Sequence, residues 1–244
     1  MPPKLRLKEN DVPKLKMPKF RVDTMLDEKL NKFEITQMMN RSNFTLFLGS
    51  PGSGKTSMLT ALLHTKECFH KVFTKIYVFM PANSRASIKD SFFDKYIHPS
   101  QIFEEVTLAD LERVAEEAQE NADDDCNTLI VFDDTQKYLR DKTVRKQFLH
   151  MMNNRRHLRL SCWLAAQNYK SIEPSVRSGI TDMFLFKLRK REMETIFEEQ
   201  IEMHQDAFED VIKLAYRDPH DFLYVNCPSQ RMFANWNEII GDEE

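Results

Sequence analysis

Glycine is scarce in this 244-residue chain: there are 5, and three of them, Gly49, Gly52 and Gly54, fall within six residues. Most turns are therefore made without glycine. One short loop takes most of the supply, so it needs backbone freedom or close approach to another group. Cysteine is sparse too. Cys68, Cys126, Cys162 and Cys227 stand far apart with no CxxC pair, which excludes a zinc ribbon or thioredoxin-like motif and argues against a disulfide scaffold. His64, Cys68 and His70 come closest to a metal-ligand spacing but have no fourth ligand nearby, so four reduced thiols are expected. Long apolar runs are missing. No window approaches the ~20 apolar residues of a membrane span, and the start, MPPKLRLKEN, has no apolar signal-peptide core. The expectation is a soluble intracellular protein with no membrane partner. Nor does one sign of charge dominate: 35 Lys and Arg face 38 Asp and Glu, a net −3. That balance argues against a small basic nucleic-acid binder but leaves room for a local basic surface.

Charge is unevenly spread. Residues 1–21 hold seven basic residues against two acids, +5 in all, which leaves −8 for the rest, and four prolines punctuate them. They read as an extended arm, with contact to nucleic acid or an acidic neighbour as a second role. Residues 22–244 read as one domain. A short helical pattern covers 22–40, and strands and helices then alternate. Strands are expected at 43–48, 75–80, 128–132, 160–166 and 183–188, and helices at 55–64, 108–121 and 142–157. A helical and hairpin appendage begins at about 189, with helix over 189–215 in one or two pieces and strands at 222–226 and 231–235. Residues 82–105 carry no clear pattern. Several strands are apolar on both faces, the mark of a parallel sheet covered by helices on both sides. The fold class is therefore α/β, with right-handed βαβ crossovers.

The glycine cluster explains itself in context. Gly49, Ser50, Pro51, Gly52, Ser53, Gly54, Lys55 and Thr56 match GxxxxGK[ST] at every fixed position, and Ser57 follows. The motif sits after an apolar strand and before a helix, as a phosphate loop must. Glycines let backbone N–H groups turn toward a polyphosphate, and the helix beginning at Lys55 points its positive end at the same anion. Lys55 adds a charge for the β- and γ-phosphates, and Thr56 a hydroxyl for Mg²⁺. ATP and Mg²⁺ are the expected ligands.

A second acidic site closes the strand at 128–132 with Asp133 and Asp134. Asp133 suits a metal-holding acid and Asp134 a base for the attacking water, although either also suits a helix N-cap. Lys55 and Asp133 are 78 residues apart with a strand between. This spacing fits P-loop proteins with strand order 5-1-4-3-2, in which an added central strand carries a polar sensor. Gln167, at the end of 160–166, takes that place. Arg155, Arg156, Arg159 and Arg177 are candidates to reach a neighbouring subunit's γ-phosphate, because arginine has a permanent charge and a fixed fork of donors. A solvated basic face or a DNA-facing patch is the alternative for any one of them.

Together GSPGSGKTS at 49–57, LIVFDD at 129–134, NNRRHLRLS at 153–161, LAAQNY at 164–169 and IEPSVRSGITDMFLFK at 172–187 resemble the poxvirus-type genome-packaging ATPases of large DNA viruses and virophages, within the FtsK–HerA superfamily. The resemblance covers about residues 40–190. It implies ATP hydrolysis coupled to pumping double-stranded DNA into a preformed capsid. It also implies Mg²⁺, a pentameric or hexameric homo-oligomeric ring with the site between subunits, a capsid portal or vertex partner, and action in the host cytoplasm at the viral factory or in the virion. Lys55 and Thr56 match the phosphate-loop pair, Asp133 the metal acid and Gln167 the sensor. Asp134 stands where many members carry Glu, a longer acid.

The competing enzyme class is a nucleoside or nucleotide kinase, with Arg189, Lys190 and Arg191 imitating a lid. Against it, two acids followed by Gln167 suit water attack better than transfer to a substrate hydroxyl. A GTPase is disfavoured because no NKxD motif follows the loop, and a non-hydrolysing scaffold because every catalytic position is filled.

Overall fold

The computed structural model describes residues 34–86, 92–201 and 205–240. The basic arm at 1–21 and the first part of the 22–40 helical pattern lie outside the described residues. Nine strands form one sheet among those described: β1 Phe44–Leu48, β2 Lys75–Phe79, β3 Ile102–Phe103, β4 Thr128–Asp133, β5 Leu160–Ala166, β6 Asp182–Phe186, β7 Phe222–Asn226, β8 Arg231–Ala234 and β9 Asn237–Glu238. Their order is β3-β2-β4-β5-β1-β6-β7-β8-β9. From β3 to β6 every pairing is parallel; from β6 onward it is antiparallel. The five strands expected from the sequence before the C-terminal hairpin thus stand in the order 5-1-4-3-2.

The helices are α1 Glu34–Met39, α2 Lys55–His64, α3 Ala82–Ala86, α4 Phe92–Tyr96, α5 Leu108–Asp123, α6 Lys142–Asn153, α7 Pro174–Arg177, α8 Lys190–Gln200 and α9 Gln205–Ala215. They give the sheet two apolar layers. In β4, Ile130 and Phe132 enter the core with Leu111, Val114 and Phe148 of α5 and α6. Leu129 and Val131 enter the opposite core with Leu59, Leu62 and Leu63 of α2. Period-two side chains that are apolar on both faces are what a doubly covered parallel strand requires.

Two boundaries differ from expectation. The helix expected over 142–157 stops at Asn153, because the chain must turn back into β5, with Arg159 at φ 45°. The described residues within 82–105 fold into α3, α4, a 3₁₀ turn at Pro99–Gln101 and the two-residue edge strand β3, pieces too short to show a periodicity. The segment from about 189 is continuous with the sheet: β7 pairs with β6, and Leu223, Val225 and Met232 share the core of α6 and α8.

Candidate active site

The phosphate loop leaves β1 at its C-terminal end, held by a bond from Gly49 N–H to Ala166 O of β5 at 3.2 Å. Gly49 is required by space: a Cβ there would lie 2.5 Å from Ser53 Oγ and 2.7 Å from Phe186 Cβ. Gly52 and Gly54 are required by conformation, with φ of 75° and 107° that side-chain-bearing residues rarely adopt. Gly54 is also the N-cap of α2, and the first helical bond runs from Met58 N–H to its carbonyl at 2.8 Å. Helical geometry leaves the N–H groups of Lys55, Thr56 and Ser57 pointing out of the helix end toward an anion. Lys55 folds back over the loop, donating Nζ to Gly49 O at 2.8 Å and Ser50 O at 3.0 Å. Burial pulls its pKa below the usual lysine value, while Asp134 and Asp133 pull it back up.

Opposite the loop, β4 ends in the two acids. Thr56 Oγ1 donates to Asp133 Oδ2 at 2.9 Å, so the two expected metal ligands are already adjacent. Burial raises the Asp133 carboxyl to about 6; the Thr56 bond opposes this, Asp134 reinforces it and Lys55 opposes it. A buried carboxylate short of positive charge beside a hydroxyl is a hard-oxygen donor set, which suits Mg²⁺. Asp134 turns out of the strand at φ 54°, and its Oδ1 accepts from Gln167 Nε2 at 2.9 Å. Neither acid caps a described helix; the next helical turn begins at Tyr138. The Thr135 hydroxyl that follows is buried without a partner among the described atoms, a feature the sequence did not mark. Loop, Thr56, Asp133, Asp134 and Gln167 therefore meet at one end of the parallel strands.

The arginines do not. Arg155 donates to Ser42 O and Met152 O, both at 2.9 Å, and Leu160 N–H donates to its carbonyl at 2.8 Å. Those contacts lie where β1 and β5 begin, the opposite end of the sheet from the loop. Arg156 is exposed on the same turn. Arg159 is ion-paired with Asp125. Arg177 is paired with Glu199 at 2.7 Å and stacks on the Tyr169 ring at 4.7 Å. None of the four reaches its own phosphate loop. The rings of His64 and His70 stand perpendicular with centroids 6.4 Å apart, but no three His, Cys, Asp or Glu residues gather as a metal site among the described residues.

Beside the loop opens a cleft of about 780 Å³ lined by the start of α2 and by Phe186, His220 and Trp236. No motif marks the last two, which lie more than 160 residues downstream of the loop. No helix among the described residues is long and apolar enough to cross a membrane.

This architecture is shared with solved structures. The DNA-packaging ATPase B204 of Sulfolobus turreted icosahedral virus superposes with a TM-score of 0.58 at 17% identity, over 80% of this chain and 97% of that one. The genome-packaging NTPase B204 of Sulfolobus turreted icosahedral virus 2, in complex with AMPPCP, gives 0.58 at 13% identity over 84% and 100%. EssC (ATPases 2 and 3) from Geobacillus thermodenitrificans gives 0.54 at 16% identity over 78% and 38%. These likenesses establish the fold. No curated protein sequence matches the chain. The family model for the Poxvirus A32 protein matches residues 30–218, which includes the phosphate loop, both acids, Gln167 and all four arginines. The chain therefore belongs to the Poxvirus A32 protein family.

Proposed function

We propose that this protein is a viral genome-packaging ATPase that drives double-stranded DNA into a preformed capsid. The observation that carries the reading is the convergence of the phosphate loop with Thr56, Asp133, Asp134 and Gln167 at one end of the sheet. Family membership and the fold shared with the B204 packaging enzymes support it.

The loop N–H groups and the α2 terminus bind the polyphosphate. Lys55 leaves the carbonyls of Gly49 and Ser50 to reach the β- and γ-phosphates. Thr56 and Asp133 hold Mg²⁺, which when bound offsets phosphate charge. Asp134 accepts a proton from the water that attacks the γ-phosphorus, as the bond to the β-phosphate oxygen breaks. Gln167, already bonded to Asp134, orients that carboxylate and responds to loss of the γ-phosphate. Since none of the four arginines reaches its own loop, charge developing in the transition state is met by one from a neighbour in a homo-oligomeric ring. Arg155 and Arg156, on the turn before β5, are the leading candidates, with Arg177 next. Such a ring would work at a capsid portal or vertex where genomes are packaged, in the host cytoplasm.

The kinase reading has less support. Arg189, Lys190 and Arg191 open α8, where Lys190 is tied to Glu209 at 3.0 Å, and the water-directed Asp134–Gln167 pair has no use in transfer to a hydroxyl. The test is hydrolysis measured with and without linear duplex DNA, beside Lys55→Ala. DNA-stimulated phosphate release that Lys55→Ala abolishes is expected. Near-wild-type turnover in that variant, or stimulation by nucleosides with phosphate transfer to them, would overturn the reading.

A further inference from the structure

The cleft beside the phosphate loop has a wall built from the C-terminal part of the chain. Two turns supply it. One, before β7, carries His220, whose Nδ1 lies 3.2 Å from Ser53 O of the loop itself. The other, between β8 and β9, carries Trp236, 40% exposed, with its ring packed edge-on against Phe222 at 4.8 Å. Phe186, at the end of β6, completes the aromatic lining next to Gly54.

These turns are fastened to each other. Asp221 Oδ2 accepts from the N–H groups of Arg217 and Asp218 at 2.9 and 2.7 Å, and its Oδ1 accepts from Asn235 Nδ2 at 2.9 Å. Asn235 in turn exchanges bonds with Phe222: its Oδ1 accepts from Phe222 N–H at 3.1 Å, and its own N–H donates to Phe222 O at 2.8 Å. A large indole, 40% exposed, is thus carried beside the loop on a turn held by a polar clasp. An exposed tryptophan with a fixed orientation in a cleft is a stacking surface.

From this geometry we infer that Trp236, bracketed by His220 and Phe186, is the nucleobase platform of the site: the triphosphate lies on the loop and the base stacks on the indole. The inference rests on the phosphate-binding reading above and adds the part of the ligand that the loop does not touch. It also says how the base is recognised. Among the described residues no acidic or amide side chain lines the cleft, and the Thr60 hydroxyl is spent on the carbonyls of Thr56 and Ser57 at 2.9 and 3.0 Å. Recognition is then by ring stacking, which every base satisfies, rather than by reading the base edge. Adenine and guanine nucleotides are both accepted, and both depend on Trp236.

The chain has two tryptophans, and Trp163 is fully buried against the stacked rings of Phe69 and Phe73. Trp236 is therefore the fluorophore within reach of a bound base. The experiment titrates the full-length protein with Mg-ATP, Mg-GTP and inorganic tripolyphosphate, following emission and measuring affinity by calorimetry. Wild type should bind all three, with emission quenched by the nucleotides and not by tripolyphosphate. Trp236→Ala should weaken both nucleotides about ten-fold and leave tripolyphosphate unchanged. Trp236→Phe keeps a ring against Phe222, so it should hold nucleotide affinity near wild type while losing the quench. Nucleotide affinity in Trp236→Ala within two-fold of wild type, with tripolyphosphate still bound, would overturn the platform and leave the loop intact. Equal binding of tripolyphosphate by wild type and Lys55→Ala would instead overturn the phosphate-loop reading beneath it.

Discussion

Gln167 Nε2 donates to Asp134 Oδ1 across 2.9 Å, joining the tip of β5 to the tip of β4 beside the phosphate loop. Both side chains extend beyond their strands, so the bond adds little to stability and its value lies in where it points the carboxylate. Asp134→Asn should lower kcat by about 10²–10⁴ with little change in nucleotide affinity, since proton acceptance matters mainly in the transition state. Gln167→Ala should fall in the same direction by a smaller factor, and Gln167→Glu further, because two carboxylates then face each other. Steady-state kinetics with parallel binding measurements check this. An Asp134→Asn enzyme that loses nucleotide binding along with turnover would mean that the acid holds ligand rather than water.

The neighbouring acid should behave differently. Asp133 is buried and bonded to the Thr56 hydroxyl at 2.9 Å, a relation that has no place for water activation. Asp133→Asn should weaken Mg-nucleotide binding while leaving metal-free nucleotide binding near wild type, because the loop N–H groups and Lys55 remain. Calorimetry with and without Mg²⁺ separates the two. Equal losses in both conditions would remove Asp133 from the metal site.

Arg155 and Arg156 adjoin in sequence but should separate in effect. Arg155 bonds two backbone carbonyls at 2.9 Å, one of them Ser42 O before β1, and hydrogen bonds to a charged group contribute about 2 kcal/mol each. Arg155→Ala should therefore lower Tm by several degrees. Arg156 is exposed, so Arg156→Ala should lower Tm less than Arg155→Ala while reducing hydrolysis in the assembled protein. Adding Arg156→Ala subunits that carry an intact loop to Lys55→Ala subunits that carry an intact arginine should restore part of the activity. No restoration in such mixtures would argue against a shared site.

Five of the six parallel strands were legible because they are largely apolar runs separated by a helical period or a turn. The phosphate loop was legible because glycine was concentrated there. Three features were not. The edge strand β3 has two residues, too few for any pattern. The direction of Arg155 depends on a turn at Arg159 with φ 45°, which nothing local to arginine demands. The wall of the cleft joins His220 to Ser53 across 167 residues, and its clasp is made by Asp221 and Asn235, residues that in sequence look like ordinary turn formers.

A buried carboxyl at the other end of the sheet sets a pH dependence. Asp182 opens β6 fully buried, accepting from Thr181 Oγ1, Tyr224 OH and Asn226 Nδ2 at 2.7, 2.7 and 2.9 Å. Burial raises its pKa from 3.8 to about 6, with those bonds and Arg155 opposing the rise. The folded state therefore binds a proton more tightly than the unfolded state. Between about pH 4 and 6 the native protein holds that proton and the unfolded chain does not, so stability contributed by this group falls as pH rises through the window. Below it both states are protonated and the contribution is flat. Asp182→Asn keeps an acceptor for Tyr224 and Asn226 and removes the ionisation. The difference in Tm between Asp182→Asn and wild type should grow in favour of the variant from pH 4 to 6.5, and parallel Tm curves for the two proteins would refute the assignment.

The DNA track should be held through its phosphates. A motor that moves along any sequence cannot depend on base edges, so Lys and Arg must do the holding, which makes binding sequence-blind and salt-sensitive. With a net charge of −3 over the whole chain, those residues must be gathered locally. Two segments offer them: residues 1–21 at +5, and the exposed Arg189, Lys190 and Arg191 at the start of α8. In the second, Lys190 is half committed to Glu209, so the arm is expected to carry more of the affinity. Removing residues 1–21 should weaken duplex binding and flatten its dependence on salt, because fewer counterions are released, while DNA-independent hydrolysis at the loop is retained. Wild-type stimulation should fall steeply between 50 and 200 mM salt, the range over which roughly 10³–10⁵ in affinity is lost when ~6–10 phosphates are contacted. Two duplexes of unrelated sequence should give superimposable curves. Unequal curves would point to base-edge contacts, and a truncated protein with an unchanged salt slope would move the track from the arm to the folded domain, with Arg189 and Arg191 the next residues to substitute.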